Sequence, residues 1–107
     1  MKVNFHHVLK NIEGEPLEDE RLQEVTLGKV AITALMNIYD DERTLSGEDK
    51  IKRWDLAQVI YAIKDGESLD IPTETIVLLK TLINKSYGVI VVGQAWQVLE
   101  GSETLID

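Results

Sequence analysis

The chain has 107 residues, a formal net charge of −8 and no cysteine. Its length suits one domain with a single core, and the lack of cysteine excludes disulfides, thiolate metal ligands and cysteine nucleophiles. The negative charge repels nucleic acid phosphates and anionic membranes, so we expect no direct nucleic acid partner and no membrane association.

The first 25 residues are predicted to form an extended or β-hairpin arm. Val3 and Phe5 alternate with polar neighbours, as in a strand. Asn11, Gly14 and Pro16 are turn-forming residues between two segments that are able to pair as a hairpin. We expect no internal repeat, either in this arm or elsewhere in the chain.

The tip of the predicted hairpin is strongly acidic, with six carboxylates and one arginine over residues 13–24. Clustered carboxylates suit calcium, but the spacing of an EF-hand loop is missing. We therefore predict a solvated loop without a metal. The negative charge also suits contact with a basic protein, and the candidate residues for that contact are Glu18, Asp19 and Glu20.

Four helices are predicted over residues 26–101. Thr26 is the expected N-cap of the first helix, which should end near Tyr39, and Ser46 and Gly66 should begin and end the second. The second helix carries apolar residues on two faces, which predicts that it lies at the centre of the domain. These faces are Leu56, Val59, Ile60 and Ile63, and Trp54, Ala57 and Tyr61.

Pro72 suits the first turn of the third helix, and Gly88 ends that helix. The segment that follows has two interpretations. Its apolar spacing predicts a fourth helix that ends at Gly101, whereas the β-branched residues 89–92 alone favour a buried strand. We adopt the helix. The fold class is then mainly α, a four-helix single domain with an extended or β-hairpin arm, and residues 102–107 are predicted to be a frayed tail.

No constellation of catalytic residues emerges, so we expect a protein that is not an enzyme and holds no cofactor or metal. His6 and His7 are adjacent, and neighbours in a strand point to opposite faces, which prevents them from sharing a metal. The glycines are isolated and form no phosphate loop. Trp54 and Tyr61 have two interpretations, a contact with a second helix or a ligand-stacking pair, and aromatic residues at helical spacing favour the helix contact.

The order of segments resembles a known group of proteins. GEPL leads into VTLGKVAITALMN, followed by LSGEDKIKRWDLAQVIY, DIPTETIVLLKTLI and YGVIVVGQAWQVLEG. This order is similar to that of small, mostly uncharacterised all-α proteins encoded by tailed bacteriophages and prophages. The resemblance spans roughly residues 11–101, and its motifs are capping and packing patterns. It implies a phage protein in the bacterial host cytoplasm and supplies no catalytic residues.

The functional prediction is non-enzymatic protein–protein interaction. The chain has more apolar positions than a small monomer is able to hide, so some should meet a phage structural protein, a host protein or a second copy. The candidate surface residues are Trp54, Tyr61 and Trp96. The predicted role is an accessory or chaperone in virion tail or head assembly. The alternative is an acidic inhibitor of a basic host nucleic-acid-binding protein.

Overall fold

A computed structural model describes residues 1–101 and confirms the predicted mainly α fold with four helices. The tail predicted over residues 102–107 lies outside the described residues. In chain order the elements are β1 (Lys2–Val3), α1 (Leu27–Met36), a short 3-10 helix (Asp40–Glu42), α2 (Gly47–Ala62), β2 (Leu69–Asp70), α3 (Thr73–Ser86) and α4 (Val89–Glu100).

The predicted caps begin and end several of these helices. Thr26 Oγ1 accepts a hydrogen bond from the Lys29 N–H at 3.2 Å, and Ser46 Oγ accepts one from the Asp49 N–H at 3.1 Å. Each bond pairs an N–H group that the first turn of a helix leaves without an internal partner. α4 ends as predicted at Gly101, whose left-handed φ of 69° closes the last turn.

Two helices are shorter than predicted. α1 ends at Met36, because the chain becomes extended at the next residue. Tyr39 then folds back, and its hydroxyl donates a hydrogen bond to the Ala34 carbonyl oxygen at 3.0 Å. α2 ends at Ala62, and Gly66 supplies its positive φ of 84° to the turn beyond the helix. The apolar spacing identified both helices but placed their carboxyl ends a few residues too late.

The segment after Gly88 is helical, so the alternative strand at residues 89–92 is wrong. α4 places Ala95 and Leu99 in the core with no exposed surface, whereas Val89 in its first turn is 91% exposed. A buried strand would need cover on both faces. The helix buries one stripe and leaves the other side of its β-branched residues at the surface.

α1, and not α2, has helices packed on two sides. It contacts α2 and α3, while α4 packs against α3. The prediction that the second helix is central is therefore wrong. Small residues on α1, including Ala31 and Ala34, are fully buried, and a Cβ added at Gly28 would lie 3.0 Å from the Phe5 carbonyl oxygen. The residues that α2 buries are Arg53, Ala57 and Ile60.

The amino-terminal arm belongs to the same hydrophobic cluster as the helices. β1 pairs antiparallel with the distant β2, with Lys2 opposite Asp70. Val3, Phe5 and Leu9 are buried. The arm therefore contributes apolar side chains to the core as well as two strand residues to the small sheet.

The remainder of the arm consists of two turns of the same design. In each turn a side-chain oxygen, from Asn11 or from Asp19, accepts hydrogen bonds from the N–H groups two and four residues later, at 2.8 to 3.0 Å. Each turn also has one residue with left-handed backbone, Gly14 at φ 89° and Leu22 at φ 61°. Asn and Asp both suit such side-chain-capped turns.

These turns form a repeat, so the expectation of no internal repeat is wrong. The Leu17 N–H donates to the Leu9 carbonyl oxygen, and the Val25 N–H donates to the Leu17 carbonyl oxygen, both at 2.9 Å. Equivalent residues are offset by eight positions in the sequence. The repeat escapes sequence reading because the turn positions are chemically similar but rarely identical.

Candidate functional site

An apolar groove lies on the surface between α1 and α2, with a volume of about 520 Å³. The residues that line this α1–α2 groove are Ile32, Met36, Trp54, Ala57, Gln58, Tyr61 and Ala62. Trp54 is 50% exposed and Tyr61 is 84% exposed. The structure therefore brings two of the predicted surface residues together and gives Tyr61 no core role.

The position of the two aromatic residues follows from the core-facing line of α2. That line runs through Arg53, Ala57 and Ile60. Trp54 and Tyr61 are seven residues apart, which is close to two helical turns, so they share one face. This face is rotated away from the core line toward solvent. The packing of α2 thus buries its small alanine and leaves the large aromatic side chains beside it accessible.

α1 supplies the other wall of the groove, which the sequence reasoning missed. Ile32 and Met36 lie one turn apart on α1 and face away from its buried stripe; Ile32 is half-buried and Met36 is 51% exposed. The spacing of two apolar residues outside the core stripe was a signal available in the sequence. The sequence does not show, however, which helix packs beside these two residues, so it did not reveal that they line a groove with α2.

None of the seven lining residues carries a charge at neutral pH. Charged residues make up 28% of the chain, so this surface differs from the molecule as a whole. Aromatic residues and methionine are enriched where proteins contact one another, and charged residues are depleted at the centre of such contacts. The composition of the α1–α2 groove is therefore that of a protein contact surface.

A second depression of about 470 Å³ adjoins the α1–α2 groove and shares Ile32 and Tyr61 with it. Val25 from the arm and Tyr87 from the end of α3 line its far side, together with Asp19. The two depressions form one continuous surface that crosses the outward face of α1. Charged side chains, those of Asp19 and Lys29, line the second depression and not the α1–α2 groove.

Trp96 lies on α4, is half-buried and does not line the α1–α2 groove. Its indole Nε1 donates a hydrogen bond to the Lys80 carbonyl oxygen at 3.1 Å. The Lys80 ammonium lies 4.5 Å from the centre of the indole ring, close enough for a cation–π contact. The ring and its N–H group are thus engaged within the fold, which separates Trp96 from the other two predicted surface residues.

The three predicted acidic surface residues occupy the second turn of the arm. Asp19 is committed to the turn, because its Oδ1 accepts the Arg21 and Gln23 N–H groups. Those backbone donors, that of Gln23 above all, hold the pKa of Asp19 below its usual value. Glu18 and Glu20 are exposed. The turn therefore presents these two glutamates to solvent and uses the aspartate for its own structure.

A buried ion pair lies between the 3-10 helix and α2. Both terminal guanidinium nitrogens of Arg53 donate to the two carboxylate oxygens of Glu42, and Arg53 is only 6% exposed. The hydrogen bonds from Arg53 hold the pKa of Glu42 below its usual value. This pair fastens the α1–α2 connection to α2 and is consistent with a structural role.

The two histidines have different surroundings. His6 Nε2 lies 2.9 Å from the Ile63 carbonyl oxygen, whereas His7 is exposed. Within residues 1–101, no group of three or more His, Cys, Asp or Glu side chains is placed to hold a metal ion. No helix in that same part of the chain has both the length and the apolar character needed to cross a membrane.

No family model, curated protein or solved structure matches the chain.

Proposed function

We propose that the protein acts by binding another protein through the α1–α2 groove, without catalysing a reaction. The proposed setting is the bacterial cytoplasm during assembly of a phage head or tail, where the protein serves as an accessory or chaperone. The observation that carries the binding function is the uncharged groove lined by exposed Trp54 and Tyr61. The phage setting is supported by the resemblance of the sequence segments.

The exposed aromatic area is large enough to contribute to affinity. A tryptophan or tyrosine buries about 150–250 Å² when fully covered, so the exposed fractions of Trp54 and Tyr61 amount to roughly 250 Å². At about 25 cal/mol per Å², covering that area contributes about 6 kcal/mol before the costs of association. Tryptophan and tyrosine are also the residues most often found to dominate binding energy.

A matched pair of substitutions tests this function in the phage or prophage that carries the gene. Tyr61→Glu places a charge in the groove, and Val77→Glu places one on α3, where Val77 is also exposed at 56%. We expect Tyr61→Glu to lower the yield of infectious particles when it replaces the natural gene, and Val77→Glu to leave the yield unchanged. Both proteins should retain the helical circular dichroism spectrum of the natural chain.

Three outcomes would count against the proposed function. Equal yields from both variants and from the natural gene would show that the groove is not needed. A natural gene whose deletion leaves the yield unchanged would remove the assembly role. A comparable loss for Val77→Glu would show that the effect is not specific to the groove.

A second candidate, an acidic inhibitor of a basic host nucleic-acid-binding protein, is favoured by the exposure of Glu18 and Glu20. Such binding should weaken steeply with added salt. Charge reversal by Glu18→Lys and Glu20→Lys, with Asp19 kept to preserve the turn, should abolish it. Binding to a basic host protein that survives both the charge reversal and high salt would eliminate this candidate.

A further inference from the structure

We draw no further inference here: the strongest candidate, the apolar surface that the α1–α2 groove forms with the depression beside Val25 and Tyr87, carries none, because nothing among residues 1–101 shows what covers it.

Discussion

Replacement of Gly14 by alanine tests the backbone geometry of the first turn in the arm. Gly14 has a φ of 89°, and a Cβ built at that position has no neighbouring atom within 4 Å. Any loss of stability must therefore come from the backbone conformation and not from a steric clash. Gly47, the first residue of α2, also has open space around its added Cβ but has no positive φ. It supplies the matched control.

The two substitutions should have opposite effects. A left-handed backbone costs a residue with a Cβ about 1–2 kcal/mol, and the reduced freedom of the unfolded chain returns about 0.4–1 kcal/mol. Gly14→Ala should therefore lower the free energy of unfolding by about 1 kcal/mol. Gly47→Ala should raise it by about 0.5–1 kcal/mol, because alanine is the better helix former and limits the unfolded chain.

Urea unfolding at neutral pH, followed by circular dichroism, measures both changes. Thermal midpoints should move in opposite directions, by about 4–8 °C per kcal/mol in a domain of this size. If Gly14→Ala stabilises the protein as much as Gly47→Ala does, the left-handed turn at Gly14 is wrong. The equivalence of the two arm turns would then be wrong as well, since it depends on Gly14 and Leu22 sharing this conformation.

Three further predictions concern the core, the ion pair and the arm. Leu35→Ala should cost about 2–5 kcal/mol in the free energy of unfolding, because Leu35 is 2% exposed. Ile38→Ala, at a 54% exposed position, should cost less than about 1 kcal/mol. Equal losses in urea unfolding would refute the assignment of Leu35 to the core. The charged form of Glu42 stabilises the fold above its ordinary pKa of 4.5, and this contribution is lost as pH falls through the lowered folded-state pKa. Glu42→Gln should remove that pH dependence and cost about 3 kcal/mol at neutral pH by leaving Arg53 buried without its charge partner; an unchanged stability–pH curve would contradict the pair. The Lys10 N–H group of the arm donates a hydrogen bond to Gln94 Oε1 at 2.8 Å. Gln94→Ala should therefore speed amide hydrogen exchange in the arm while α1 and α3 keep their protection. Unchanged exchange in the arm would count against this contact.

Local signals in the sequence were sufficient for most helix boundaries. Thr26 and Ser46 cap the helices that they were expected to begin, since N-capping depends on one side chain and a nearby N–H group. The fourth helix was correctly preferred over a strand, because its apolar spacing extends beyond the β-branched residues to Leu99. These features are decided within a few residues of the chain.

The arrangement of the helices was harder to predict, because apolar spacing shows which faces avoid water but not what covers them. Both stripes of α2 were assigned to neighbouring helices, yet α1 and α3 are the helices that each contact two others, and Tyr61 remained 84% exposed. The small residues Gly28, Ala31 and Ala34 allow α1 its close contacts. The groove was unpredictable for the same reason, since it exists only where Met36 and Trp54 come together across two helices.

The most direct test of the central claim, that the protein binds another protein through the α1–α2 groove, is site-specific photo-cross-linking in cells that naturally carry the gene. A photoreactive phenylalanine derivative at position 61 should capture one defined protein, which peptide mass spectrometry should identify. The same group at position 77 should not capture it, although Val77 is also exposed. Equal adducts from both positions, or none above background from position 61, would contradict binding through the α1–α2 groove.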